Sequence, residues 1–245
     1  MKPTPTSRPE LAPLLAFGAH PDDIEFGCGG VIAAETHSGR PAHLVVCSRG
    51  EAGTHGTPDQ RTQEAQDAAG ILGATIEFIE LDGDSHLEMK AGHAIELAAI
   101  IRRTRAGIVL APSVVENQHP DHGRLGRLVR DGTRLARYGG IKELIDLVPH
   151  TIGQLFFYAL TPDAEPRDIS PVLYDVSPEE IVSAWSAAME AHKSQVRARK
   201  YVELQLARAR LHGLRANVEY AIPLFANDPL IVESLAQVCK GARRF

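Results

Sequence analysis

Two short segments of the 245-residue chain concentrate groups that bind metals and move protons: Ala19-His20-Pro21-Asp22-Asp23 and Gln118-His119-Pro120-Asp121-His122. With 11 His and 16 Pro in the chain, chance predicts roughly 0.04 His-Pro-Asp tripeptides. Two are present. A β-turn brings residues i and i+3 to within about 7 Å, and proline at i+1 pre-sets it. His20 can therefore face one point with Asp23, and His119 can do the same with His122. Two imidazoles and one carboxylate with an open fourth position make a catalytic zinc pattern. Such a cation lowers the pKa of water from about 15.7 to about 7 and polarises a carbonyl. Asp22 and Asp23 are adjacent, so their side chains diverge, and Asp22 is left to accept the proton of the activated water. One imidazole is left over. Protonated, it can stabilise an oxyanion or protonate a leaving amine. Zinc is the expected ion, although such an oxygen–nitrogen donor set also accepts Fe²⁺ or manganese.

The elements that must position these groups alternate. The pattern predicts strands at Leu14–Ala19, Ala42–Ser48, Thr75–Glu80 and Gly107–Ala111. Between and after them it predicts helices at Glu25–Ser38, Pro58–Leu72, Lys90–Arg105 and Asp121–Tyr138. Thr57 caps the second helix, with Pro58 at its first position. Strand–helix alternation means a parallel, doubly wound α/β sheet with helices on both faces. In the order 3-2-1-4 the first and fourth strands are neighbours, and ligands bind outside their carboxyl ends. Asp23 and His122, 99 residues apart in sequence, then meet at one crevice. Further strands are expected at Gln154–Leu160, Val172–Val176 and Ala216–Phe225. One long helix, or two broken near Lys193, is expected over Pro178–Leu214, and a short helix after Pro229. Residues 1–12 read as a loose arm, and residues 13–245 as one domain with a C-terminal extension.

Composition excludes several classes. A chain that is 44% hydrophobic and 23% charged is neither disordered nor collagen-like. No apolar run reaches the length of a membrane span, and the first residues have no secretory pattern. A net charge of −5 argues against nucleic acid as a partner. Cys28, Cys47 and Cys239 form no framework, which points to buried thiols and a cytoplasmic setting. Gly27-Cys28-Gly29-Gly30 lies beyond the first strand–helix turn, so it reads as close helix packing rather than a dinucleotide site. The basic run Lys193, Arg197, Arg199, Lys200, Arg208, Arg210 and Arg215 reads as a solvated helix face, with a subunit contact or attraction of an anionic ligand group as the alternatives.

Residues 16–30 (AFGAHPDDIEFGCGG) and the segment QHPDHGRLGRLV resemble the two motifs of the PIG-L/LmbE-like N-acetylglucosaminyl deacetylases. SRGEAGTHGTPDQRTQEAQDAAGILG and AHKSQ at 191–195 resemble the branch that serves bacillithiol biosynthesis. The likeness implies a Rossmann-like zinc enzyme that removes the N-acetyl group from a GlcNAc-type sugar, with GlcNAc-malate the first candidate. Chitobiose, a mycothiol-type thiol and an antibiotic sugar are the alternatives, beside a sugar-binding protein without catalysis. By motif match, His20, Asp23 and His122 would ligate zinc, Asp22 would be the general base, and His119 would face the oxyanion and leaving amine. Arg61 would bind substrate, and Asp82 would contact sugar hydroxyls. His192, in the AHKSQ segment, would line the pocket or pack. The likeness also implies a homo-oligomer, a hexamer in many relatives of that branch. The chain departs from the branch at Tyr220–Phe225, where Ile222 and Pro223 stand in place of an acidic segment.

Overall fold

Leu14–Gly18, the first strand (β1), carries no polar side chain, and all five residues are buried. Such a strand belongs inside a parallel sheet covered on both faces. The computed structural model describes residues 11–116, 119–197 and 200–234. β1 is followed by α1 (Asp23–His37), β2 (Ala42–Val46), α2 (Pro58–Ile71), β3 (Thr75–Phe78), α3 (Ala91–Thr104), β4 (Ile108–Pro112) and α4 (Pro120–Leu135). The second half holds β5 (Gln154–Tyr158), β6 (Val172–Asp175), α5 (Glu179–Ala191), α6 (Lys193–Val196), α7 (Tyr201–Ala216) and β7 (Ala221–Ala226). The seven strands form one sheet in the order β3-β2-β1-β4-β5-β7-β6. β1 to β5 pair in parallel, and β7 runs antiparallel to both β5 and β6. This is the mostly parallel, doubly wound α/β sheet expected from the alternation.

Side chains alternate along each strand, so β1 feeds two cores. Leu14 and Ala16 pack with α1, α2 and α5. Leu15 and Phe17 pack with α3 and α4 on the other face. Trp185 of α5 is fully buried against α1, and its indole N–H donates to the Glu25 carbonyl at 2.8 Å. Cys28 and Cys47 are buried free thiols, as expected.

Over 178–214 the broken alternative holds: the helix stops at Ala191, close to Lys193, and restarts at Tyr201 with the short α6 between. The sequence expectations shift in three other places. The last strand begins at Ala221 rather than Ala216, because α7 runs on to Ala216 and Asn217 turns the chain at φ 56°. Arg208 is not on a solvated face. It is buried, with Nη1 donating to the Ala159 carbonyl at 2.7 Å and Nε to Glu165 at 2.9 Å. Residues 229–234 carry no helix. The rest of the helix expected there, Cys239, and residues 1–10 of the expected arm lie outside the described residues. No helix among the described residues is long and apolar enough to cross a membrane.

The glycines after the first turn do serve close packing. A Cβ on Gly27 would overlap the ring of Tyr158 at Cδ2 and Cε2. That ring is fully buried, and its hydroxyl donates to the Phe17 carbonyl at 2.7 Å, so it has nowhere to move. Alanine in place of a helical glycine gains about 1 kcal/mol of propensity. Overpacking a fixed ring costs about 1–3 kcal/mol and more at this overlap. Gly27→Ala should therefore lower the unfolding free energy by about 2 kcal/mol in urea denaturation. A variant as stable as the parent would show that the ring has room.

Candidate metal centre and active-site cavity

Both His-Pro-Asp segments are β-turns. The Asp23 amide donates to the His20 carbonyl at 3.3 Å, and the His122 amide to the His119 carbonyl at 3.3 Å. The first turn joins β1 to α1 and the second opens α4, at the carboxyl ends of neighbouring strands. Asp22 stands at the N-terminus of α1 with φ 109° and makes no capping bond. A non-glycine residue there costs about 1–3 kcal/mol and persists only where its surroundings enforce it. The Asp23 carboxylate is fixed from behind: its Oδ2 accepts from the amides of Ala19 at 2.8 Å and His20 at 2.9 Å.

The turns meet. His122 Nε2 lies 3.1 Å from Asp23 Oδ1 and 3.3 Å from His20 Nδ1. His20 Nδ1 lies 3.5 Å from Asp23 Oδ2. Four ligands at about 2.0–2.1 Å around a tetrahedral cation are separated by about 3.3–3.4 Å. The separations from His122 match that spacing, while His20 approaches Asp23 at its other oxygen, the one held by the amides. The nitrogens of His20, His119 and His122 also lie within 4.8 Å of one another.

A second set overlaps the first through the same histidine. Donors of His20, Asp84, His119 and Asp121 all lie within 4.8 Å of one another. His20 Nε2 is buried and faces Asp84 Oδ1 at 3.2 Å and Asp121 Oδ2 at 3.6 Å, in hydrogen-bond geometry with neither. The cluster as a whole could hold a divalent cation. The two sets differ in which oxygens are already taken: Asp23 accepts from amides at Oδ2 alone and presents Oδ1 to His122, whereas Asp84 is engaged at both oxygens. Asp84 already accepts from the Ala52 amide at 3.2 Å and the Ser85 hydroxyl at 3.0 Å. Asp121 accepts from the Ser85 amide at 2.8 Å. Carboxylates so occupied suit the far nitrogen of a ligating histidine, where they orient the ring and raise its basicity.

The charges support one another. Burial opposes a charged His20, but Asp23, Asp121 and Asp84 outweigh it and raise the imidazole well above its ordinary value. Burial also opposes a charged Asp23, and His122 and His20 overcome it, holding the carboxyl low. Burial is offset in the same way at Asp84, which His20 and Ser85 pull down to about 2. Asp22 goes the other way: burial and its neighbour Asp23 push it up to about 6. Burial, with His20 and His122 alongside, lowers His119. His119 Nδ1 accepts from the Asp121 amide at 3.3 Å, which leaves the proton of the neutral ring on Nε2, facing Ser85 Oγ at 3.2 Å.

The structure gathers His20, Asp22, Asp23, Arg61, His119 and His122 in the wall of one cavity of about 400 Å³. Arg61 is buried and turned inward. It donates to the Pro21 carbonyl at 2.9 Å, the Gly50 carbonyl at 3.0 Å and Asp22 Oδ2 at 3.4 Å. Asp82 is not in the wall. It is held outside by Lys90 at 2.5 Å and His93 at 2.7 Å, which lower its carboxyl. Asp84, two residues on, lines the cavity instead. Asp82, Gly83 and Ser85 have φ of 63°, 88° and 69°, and this doubly reversed loop turns Asp84 inward. His192 packs rather than lining the cavity: it is buried, with Nε2 3.4 Å from Glu25. Its neighbour Ser194 binds Glu64 of α2 through both its amide and its hydroxyl, at 3.0 and 2.6 Å.

Comparison with known proteins places this arrangement. Residues 15–132 match the PIG-L family, described as GlcNAc-PI de-N-acetylase. The chain is 28% identical over 203 residues to the diacetylchitobiose deacetylase of Thermococcus kodakarensis, covering 76% of this chain and 71% of that protein. It is 30% identical over 140 residues to the 4-oxalmesaconate hydratase of Pseudomonas putida, 52% of this chain and 54% of that one. The crystal structure of the conserved protein TT1542 from Thermus thermophilus superposes with a TM-score of 0.79 at 32% identity, covering 89% of this chain and 96% of that one. The chain carries a PIG-L family domain over residues 15–132, and its relatives include a deacetylase and a hydratase.

Zinc titration against a chromophoric chelator should give one tight site. Asp23→Ala should abolish it. Asp84→Asn should weaken it by about 10–100-fold, the usual effect of removing a carboxylate behind a ligating histidine. Equal loss in the two variants would place Asp84 among the direct ligands.

Proposed function

We propose that this chain removes the acetyl group from the amide nitrogen of a small GlcNAc-type conjugate, with His20, Asp23 and His122 holding a divalent cation, zinc first. The reading rests on one observation: His122 Nε2 stands at ligand spacing from both Asp23 and His20, and the three share a cavity wall with a half-buried carboxylate, Asp22, that caps nothing. The cation supplies Lewis acidity, acidifying water and polarising the amide carbonyl.

The chain's own groups do the rest. Asp22 accepts the proton of the attacking water as its oxygen adds to the carbonyl carbon. Arg61 holds that carboxylate in place from below. The Nε2–H of His119 donates toward the oxygen on which negative charge develops. Cleavage of the C–N bond then gives acetate and a free amine, with the abstracted proton passed to the nitrogen. The crossing of family motif and cavity also suits water addition to a double bond, as the name of the Pseudomonas relative describes for that protein. Acetate release separates the two reactions.

The assay uses a panel of GlcNAc glycosides, GlcNAc-malate and N,N′-diacetylchitobiose, with an unsaturated dicarboxylic acid as the hydratase arm. The deacetylase reading expects acetate from at least one sugar, loss with a chelator and recovery with zinc. Asp22→Asn should lower turnover by about 10²–10⁴-fold while the zinc content stays at the parental level. Turnover at the parental rate would remove Asp22 from the reaction, and loss of the unsaturated acid's absorbance without acetate release would replace the deacetylase by a hydratase.

A further inference from the structure

The cavity has two unlike ends. Its floor carries the histidines and carboxylates described above. Its other wall is mostly apolar: Phe26 from α1, Leu160 and Ala164 from the segment after β5, and Tyr201 and Leu204 from α7, with Thr161, Gln195 and Gln205 among them. The Gln205 amide is engaged by the Leu160 carbonyl and Arg208, and Gln195 Nε2 by the His55 carbonyl. Phe26 and Tyr201 have ring centroids 5.6 Å apart and make a common aromatic surface. Phe26 lies three residues after Asp23 on the same helix, so the apolar wall starts about 5–6 Å from the floor.

The charge inventory is as telling. Among the described residues of the wall, Arg61 is the sole lysine or arginine. Its two terminal nitrogens are spent on Pro21, Gly50 and Asp22, and its Nε is buried. Asp22, Asp23, Asp84 and Asp121 stand against a divalent cation plus Arg61, which leaves no net positive charge on the floor. Arg197 and Lys200 are exposed and outside the wall, and Lys200 pairs with Glu203 at 3.1 Å. Arg199 lies outside the described residues. A carboxylate inside this cavity would give up its water without gaining a cation, which is costly. An apolar group there gains about 0.8 kcal/mol per buried methylene.

Resting on the deacetylase reading, we infer that the cavity selects GlcNAc conjugates whose aglycone is uncharged and apolar, seated against Phe26, Leu160, Ala164, Tyr201 and Leu204. The wall, not the floor, then sets the substrate, and the dicarboxylate of GlcNAc-malate is disfavoured.

The test compares methyl, n-butyl and malyl GlcNAc glycosides on the zinc-loaded protein, both as kcat/KM for acetate release and as Kd by calorimetry. The butyl glycoside should exceed the methyl by at least about tenfold, a modest return on three methylenes. The malyl glycoside should fall at or below the methyl. Leu204 is 39% exposed, so Leu204→Arg should fold, and it should swing the malyl-to-butyl ratio by at least about tenfold toward malyl. Ratios within one protein preparation are insensitive to its active fraction. A malyl glycoside turned over or bound as well as the butyl overturns the inference. So does a ratio that Leu204→Arg leaves unchanged. Absence of acetate from every glycoside overturns the deacetylase reading instead, and the calorimetric order of the three ligands still decides this one.

Discussion

The contact between two turns, His122 against Asp23 and His20 across 99 and 102 residues of chain, is the constraint on which the molecule is organised. It crowds imidazoles and carboxylates into a place largely shielded from water. Buried charge is expensive unless it is paired and hydrogen-bonded. Every group at the floor therefore has a partner that lowers this cost. Asp23 leans on two backbone amides, Asp84 on the Ala52 amide and the Ser85 hydroxyl, and Asp121 on the Ser85 amide. A neutral packing would be easier to hold together. The arrangement makes sense as a place prepared for an ion that the fold alone does not require.

Support reaches further than the turns. Arg61 ties the first turn to the Gly50 loop, and its helix α2 is held in turn by Ser194, which gives both its amide and its hydroxyl to Glu64. Gln195 donates to the His55 carbonyl at 2.9 Å and closes the same corner. The AHKSQ segment thus acts through the scaffold, fixing the helix that carries Arg61, and also reaches the cavity wall through Gln195. Glu51 joins the other side, accepting the Asp84 amide at 2.6 Å. One loop, residues 50–57, is therefore gripped from α2, α6 and the turn before α3, and it forms a rim of the cavity through Ala52, Gly53 and Thr54.

How far the sequence reaches follows from what kind of order each feature has. Local order was legible. Apolar runs mark β1, β2 and β4, and Thr57-Pro58 marks the start of α2, where the Thr57 hydroxyl accepts from the Gln60 amide. The two turns were legible because proline fixes them and because parallel neighbours put their ends together. Long-range order without a local signature was not. Nothing in Leu81-Asp82-Gly83-Asp84-Ser85 says that left-handed backbone at Asp82 and Ser85 will turn Asp84 inward and leave Asp82 to Lys90 and His93. Arg61 was legible as important, but its direction was not: an arginine in an exposed-looking helix points into the protein because two backbone carbonyls await it. Arg208 is the same lesson on α7, where a charge count suggested solvent and the Ala159 carbonyl and Glu165 were the partners.

The division between floor and wall explains why family membership goes only part of the way. The stretch that matches the family, residues 15–132, supplies every donor of the floor: His20, Asp22, Asp23, Arg61, Asp84, His119 and His122. Most of the apolar wall comes from Leu160, Ala164, Tyr201 and Leu204, beyond that stretch. Groups that activate water are tightly constrained, because a ligand displaced by an ångström no longer binds. Groups that only exclude water and fit an aglycone are free to vary in size and polarity, since a wall needs shape and little geometry. One floor can then serve relatives named for different substrates, and even for different reactions, while α7 and the segment after β5 decide what reaches it. In this chain those two elements bring two leucines, an alanine, a tyrosine, a threonine and a glutamine to the cavity and no cation among the described residues.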